Sequence, residues 1–174
     1  MPIRFLYGET CRKADWLPSL FDIRYTNMSV IAPTGCSYEE DYAEWFSHVS
    51  PALDKTLRRI VLIYDQDDLI GYFQYYVNPT TSLFMMEEIQ LRSAYHRTGV
   101  FSDLYRWLLP QLPLDLQTVE AYAHKNNEKS QAILGHLGLS CIGEEAGGNI
   151  LHFRGSFGAL QTKYTHSKET GIGS

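Results

Sequence analysis

Residues 87–109 read EEIQLRSAYHRTGVFSDLYRWLL, and this stretch decides the fold. Its first residues continue an apolar run, so 83–91 predicts a strand. From Val100 to Leu109 the apolar residues have helical spacing, and Pro110 stops the helix. A helix that begins directly after a strand presents unpaired N–H groups and the positive end of its dipole, here beside Gly99. This arrangement is typical of an anion site, although a strand–helix junction can also carry one glycine for its turn alone.

A second strand leads into a second helix at residues 119–130, which read VEAYAHKNNEKS. Asn127 predicts the N-cap of a helix over 128–137, and Gly138 predicts its left-handed end. These structural roles explain each residue separately. They do not explain why this helix follows the first by one strand.

The rest of the chain predicts further strands and two earlier helices. Ser37 and Glu40 have the spacing of a capping box, so a helix begins there, whereas 50–59, with Pro51, reads as a connection. We predict an α/β (α+β) domain over 1–157, with a mixed, mostly antiparallel twisted sheet of about seven strands and about four flanking helices. Residues 158–174 are polar and predict a loosely ordered tail. The expected further strands are at 3–7, 60–64, 69–77, 118–124, 140–143 and 150–153.

Composition excludes several classes of protein. The net charge of -5 over 174 residues lacks the dense basic face that nucleic-acid binding requires. No apolar run approaches the ~18 residues of a membrane span, and residues 1–8 lack a secretory leader pattern. Three widely spaced cysteines favour a reducing compartment and small buried roles, so we expect a cytoplasmic protein. No residue cluster has metal-ligand spacing, and we expect no metal.

The first stretch resembles the coenzyme A pyrophosphate loop of GNAT acetyltransferases, whose pattern is Arg/Gln-x-x-Gly-x-Gly/Ala after a strand. Leu91 matches the strand end, Tyr95 the aromatic position and Gly99 the first glycine. His96 stands where Arg or Gln is usual, and Phe101 replaces the second small residue. The resemblance implies a GNAT-like domain that binds acetyl-coenzyme A. The loop residues that it assigns to this binding are His96, Arg97, Thr98, Gly99, Val100 and Phe101.

The second stretch is similar to the second GNAT signature, in which Asn bonds the pantetheine arm. Asn127 and Ser130 are the matching positions. In the family the strand before the loop also binds pantetheine through its backbone, and Ile89, Gln90 and Leu91 fall there. The resemblance covers roughly residues 60–153. Two signatures in the right order are stronger evidence for it than either signature alone.

Two adjacent carboxylates, Glu87 and Glu88, are the candidate general bases, since a buried carboxylate is costly without a partner. Position slightly favours Glu87, although a β-bulge would reverse which side chain faces the cleft, and a salt-bridged pair explains both equally well. Many relatives place a tyrosine acid where this chain has Leu134, so the general acid is not assigned.

The acceptor is expected to be a small-molecule or peptide amine, bound by the aromatic and acidic N-terminal helices. Tyr38 and Tyr122 are the candidate substrate-binding residues, and the acidic residues favour a cationic amine. Two alternatives remain: a non-catalytic acyl-coenzyme A-binding regulatory domain, which Leu134 favours, and a purely structural domain. Dimers are common among similar proteins, so the resemblance allows a homodimer, but the sequence carries no interface signal for one.

Overall fold

The computed structural model describes residues 2–55 and 57–165. Over these residues the chain forms seven strands and five helices, which confirms the predicted α/β class with one helix more than expected. The strands are β1 (Ile3–Tyr7), β2 (Arg59–Asp65), β3 (Asp68–Asn78), β4 (Leu83–Leu91), β5 (Thr118–His124), β6 (Ser140–Glu145) and β7 (Ile150–Ser156). The helices are α1 (Lys13–Ile31), α2 (Tyr38–Lys55), α3 (Val100–Leu108), α4 (Glu128–His136) and α5 (Phe157–Thr165).

The strands form one mixed sheet in the order β1-β2-β3-β4-β5-β7-β6. Antiparallel pairing joins β1 to β2, β2 to β3, β5 to β7 and β6 to β7. The parallel step lies between β4 and β5, where the register runs from Leu83↔Thr118 to Met86↔Ala121. Parallel neighbours need a crossover, which α3 provides, so the predicted mixed, mostly antiparallel sheet is confirmed.

Two compact units divide the described chain. The first unit holds residues up to 76 together with 87–96, and the second holds 77–86 with residues from 97 onward. In the first unit, α1 packs a buried cluster that includes Trp16, Leu20 and Tyr72. In the second, Phe84 and Phe157 meet edge to face at 5.8 Å within the core.

Helix α2 differs from its predicted length. Its start follows the sequence, because Ser37 N–H donates to Glu40 Oε2 at 2.8 Å and Glu40 N–H donates to Ser37 Oγ at 3.2 Å. The predicted connection from residue 50 is wrong, since the helix continues through Pro51. Proline removes one helical hydrogen bond, but Val49 and Leu53 pack against the buried cluster of the first unit and hold the helix in place.

The predicted tail begins as a helix. Residues 158–165 belong to α5 and are anchored by buried Phe157 and Leu160, which are 0% and 1% exposed. Apolar burial therefore overrides the polar, glycine-containing composition on which the prediction rested. The remaining part of the predicted tail, 166–174, lies outside the described residues.

The three cysteines are free thiols, and two of them contradict the expected burial: Cys36 and Cys141 are exposed, while Cys11 is partly buried. Among residues 2–55 and 57–165, no three His, Cys, Asp or Glu side chains are grouped to hold a metal ion. In this same part of the chain, no helix combines the length and apolarity needed to cross a bilayer.

Candidate active site

The end of β4 is fixed within the first unit by backbone packing and by α1. A Cβ added at Gly71 of β3 would lie 2.5 Å from the Gln90 carbonyl oxygen, so only glycine allows the two backbones this approach. The Leu91 carbonyl accepts from Asn27 Nδ2 and lies near His96 Nε2, both at 2.9 Å. The His96 ring therefore supports the strand end through this nitrogen.

Glu87 is held in an ion pair with Arg58. The Arg58 Nε lies 2.8 Å and 2.7 Å from the two carboxylate oxygens, and Gln74 Nε2 lies 3.5 Å from Oε2. The Glu87 side chain is only 18% exposed. Both of its oxygens are thus engaged by one cation, as expected of a structural ion pair.

Glu88 has a looser environment. Its Oε1 lies 2.9 Å from Arg24 Nε and accepts from Gln90 Nε2 at 3.2 Å. The hydroxyl of Tyr72, buried in the core, lies beside this carboxylate, and its pKa is raised well above 10 by burial first and then by the Glu88 charge. The carboxylate therefore has a neutral hydroxyl and one exchangeable cation as its neighbours.

Tyr38 lies at the start of α2 and packs on α1. Its ring centroid is 5.1 Å from Phe21 and 4.8 Å from Tyr25, both with edge-to-face geometry. Its pKa is raised by burial first and next by the charge of Asp22. The predicted substrate-binding residue thus belongs to an aromatic cluster close to the Asp22 carboxylate.

Ile89, a predicted pantetheine-binding residue on β4 of the same unit, is half-buried.

The predicted pyrophosphate loop lies at the start of α3. Gly99 has φ 82° and Arg97 has φ 63°, so the loop turns through two left-handed residues. The first helical hydrogen bond runs from Asp103 N–H to the Gly99 carbonyl, which leaves the N–H groups of 100–102 outside the helical ladder. A Cβ at Gly99 would meet nothing within 4 Å, and Arg97 and Thr98 are exposed. The loop fits an anion approaching the backbone, with Val100 buried and Phe101 half-buried beneath it.

The second signature adopts its structural role. Asn127 Oδ1 accepts from Ser130 N–H at 3.1 Å, which caps α4. The cap uses the oxygen of the amide and leaves its nitrogen for other bonds. Leu134 is buried at 8% exposure, so that position supports the core and supplies no acid.

Tyr122 stacks on His152, with ring centroids 4.4 Å apart and planes at 16°. On the same face, Glu120 is buried at 7% exposure and accepts from Arg154 Nε at 2.8 Å. The carboxylate also lies 3.1 Å from His152 Nε2. Glu120 is therefore a paired structural carboxylate, and Tyr122 is an exposed aromatic beside it.

The sequence analysis missed Arg24 and Asn27, the α1 residues that contact β4. A signal was present, because Leu17, Leu20, Arg24 and Asn27 follow helical spacing along one face. Polar residues that continue an apolar stripe indicate polar partners at that position. Arg58 carried no comparable signal.

Several solved structures similar to this chain are described as acetyltransferases. An acetyltransferase from Thermus thermophilus matches with a TM-score of 0.66 at 13% identity, covering 90% of this chain and 97% of that one. An acetyltransferase attributed to the GNAT family, from Desulfovibrio desulfuricans, matches with a TM-score of 0.66 at 16% identity, covering 90% of this chain and 99% of that one. Spermidine N-acetyltransferase from Vibrio cholerae, in complex with coenzyme A and spermine, matches with a TM-score of 0.63 at 15% identity. The match covers 93% of this chain and 97% of that one.

These likenesses establish that the chain has the GNAT fold. No protein-family model and no curated protein matches the sequence.

Proposed function

We propose that this chain is an N-acyltransferase that moves an acetyl group from acetyl-coenzyme A to a primary amine, by direct attack in a ternary complex. The observation that carries the proposal is the start of α3, where Gly99 is left-handed with open space around its Cβ position and the N–H groups of 100–102 lie outside the helical ladder. We assign these N–H groups to the donor's pyrophosphate. The GNAT fold supports it, since a protein of this fold was crystallised with coenzyme A.

The donor supplies an activated acyl thioester. In the second unit, the backbone of 97–101 is assigned to its pyrophosphate, and the amide nitrogen of Asn127 with the Ser130 hydroxyl to its pantetheine. For the first unit taken by itself, the resemblance assigns the backbone of Ile89, Gln90 and Leu91 to pantetheine binding. Backbone N–H groups need no reorganisation on binding, so they suit an anion and a developing oxyanion.

Glu88 is the base that the geometry favours, in place of the slight sequence preference for Glu87. Glu87 is engaged through both oxygens by Arg58, whereas Glu88 is engaged through Oε1, by the partly exposed Arg24 and by the neutral amide of Gln90. A general base must reach the proton it removes. Glu88 can do so by releasing one cation.

The leaving thiolate needs little assistance. A coenzyme A thiol has an acidity near that of cysteine, whose pKa is about 8.5. We assign its protonation to water, because Leu134 is apolar and buried at the position where relatives carry tyrosine.

A regulatory acyl-coenzyme A-binding domain is the second candidate. It is favoured by Leu134 and by the two arginines that pair with both candidate bases. In that case donor binding would persist without turnover.

Calorimetric titration with acetyl-coenzyme A, followed by thiol release against a broad amine panel, tests the proposal. Micromolar binding with amine-dependent thiol release is the expected result. Binding without turnover would select the regulatory candidate. Absence of binding would contradict both candidate functions, and only the fold would remain established.

A further inference from the structure

Helices α1 and α2 and the segment between them line a cavity of about 530 Å³ within the first unit. This volume is in the range of small-molecule sites, roughly 300–1,000 Å³. The walls combine aromatic rings with charged side chains. Those that carry the argument are Phe21, Tyr25, Trp45, Arg24, Asp41 and Glu44.

The charges of this cavity favour a cation. The lining includes two carboxylates, Asp41 and Glu44, one guanidinium, that of Arg24, and the imidazole of His48. The Arg24 charge is already compensated, because its Nε lies 2.9 Å from Glu88 Oε1. Both Asp41 carboxylate oxygens accept from the hydroxyl of Thr34, at 2.8 Å and 2.7 Å, and this neutral donor does not cancel the carboxylate charge.

The aromatic walls suit an alkyl amine. The ring centroid of Phe21 lies 5.3 Å from that of Trp45 and 5.7 Å from that of Tyr25, so the three rings form a continuous surface. Such a surface packs methylene groups and attracts an ammonium over a ring face.

Arg24 links this cavity to the base, since it lines the cavity and pairs with Glu88. Its side chain is 38% exposed, so it can leave the carboxylate without crossing packed core. We propose that the cavity binds a linear aliphatic amine carrying two positive charges, one of which takes the place of Arg24 beside Glu88. This rests on the proposed function and adds the charge of the acceptor and the residue that its ammonium displaces.

The chemistry of the exchange is balanced. One ammonium stays with Asp41 and Glu44, and the other gives its proton to Glu88. The resulting neutral amine forms the amide C–N bond as the thioester C–S bond breaks. The nitrogen loses its second proton to water as the amide forms, and the thiolate takes up a proton from water. Glu88 returns its proton to solvent when Arg24 re-forms the pair, so one proton is released overall.

The test is calorimetric binding to the full chain without donor, using 1,4-diaminobutane and 4-amino-1-butanol. The two probes have the same chain length but differ by one charge. We expect the diamine to bind about tenfold more tightly, as for one charged hydrogen bond. Equal affinities, or tighter binding of a zwitterionic amino acid through Arg24, would overturn the proposal.

Two variants locate the site. Asp41→Asn keeps the shape of the side chain and should weaken diamine binding about tenfold. Asp67→Asn removes the same charge from a fully exposed turn residue, and should leave affinity unchanged. Arg24→Gln should tighten diamine binding, because Glu88 then has no competing cation. Equal effects of the two Asp variants, or weaker diamine binding to the Arg24 variant, would count against the cavity.

Donor titration separates this proposal from the proposed function. If acetyl-coenzyme A binds and other amines release thiol while the diamine does not bind, the dication site is wrong and the transferase stands. If the diamine binds as predicted but acetyl-coenzyme A does not, the transferase is wrong and the cavity is an amine site.

Discussion

Arg24 Nε lies 2.9 Å from Glu88 Oε1, and the two side chains are 38% and 24% exposed. The neighbouring Glu87 is held differently, because Arg58 engages both of its oxygens. Adjacent residues of one strand therefore have the same charge but different freedom to exchange their partners. The looser pair suits proton transfer, and the tighter pair suits structural support.

Replacement of the two glutamates should separate these roles. Glu88→Gln should lower amine-dependent thiol release by about 10²–10⁴-fold, the usual contribution of a general base, while donor affinity is retained. Glu87→Gln should instead destabilise the fold by about 1.5–3 kcal/mol, because it removes a hydrogen-bonded charge from a partly buried pair. Steady-state kinetics and urea unfolding of both variants measure this. The assignment is wrong if Glu87→Gln has the larger kinetic effect.

Gly71→Ala should destabilise the first unit. The added Cβ would lie 2.5 Å from the Gln90 carbonyl, so the strand backbones must separate, at a cost of about 1–3 kcal/mol. Gly135→Ala is the matched control, because α4 leaves open space there and alanine favours a helix by about 0.5–1 kcal/mol. Thermal unfolding should therefore shift down for the first variant and up for the second. A neutral Gly71→Ala would refute the close approach.

The features that could be predicted from sequence are local. The capping box joins Ser37 and Glu40, and the turn at Gly99 needs a left-handed residue at one position. Both are set within a few residues, so spacing and residue type suffice. The mixed character of the sheet could also be predicted, because a strand–helix–strand unit requires a parallel step.

The contacts that could not be predicted join distant residues. Arg58 and Glu87 are 29 positions apart, and Asn27 and Leu91 are 64 apart. Periodicity gives the face of an element, but it does not give the partner that the fold brings to that face. Likewise, Pro51 and the residues of α5 were judged by local propensity, which tertiary burial overrides.

Gly99→Ala should weaken acetyl-coenzyme A binding about tenfold by disturbing the loop whose N–H groups are assigned to the donor. Gly138→Ala controls for backbone strain, since both glycines have positive φ, 82° and 92°, and open space around the Cβ. Each should cost about 1–2 kcal/mol of stability. Calorimetry should show the affinity loss at Gly99 alone. Equal losses would mean that strain, not anion binding, explains the glycine.

Alkaline pH should destabilise the protein through its buried tyrosines. Burial raises the pKa of Tyr72, Tyr75 and Tyr105 above the ordinary value. The unfolded chain releases these protons near pH 10 while the folded chain keeps them, so stability is constant below about pH 10 and falls above it. Urea unfolding between about pH 8 and pH 11 measures the slope.

Tyr105→Phe should make this slope about one third shallower if the three groups contribute equally. An unchanged slope, or full titration of tyrosine absorbance in the folded protein, would contradict the buried assignment.

Asn127 should have two separable roles. Its Oδ1 caps α4 by accepting from Ser130 N–H at 3.1 Å, while its amide nitrogen is assigned to the donor. Asn127→Ser keeps a capping oxygen and removes the amide, so stability should be unchanged while donor affinity falls about three- to tenfold. Asn127→Ala should lose about 1 kcal/mol of stability as well. Unfolding experiments and donor titration of both variants test the two roles. Full donor affinity in the folded serine variant would show that Asn127 only caps the helix.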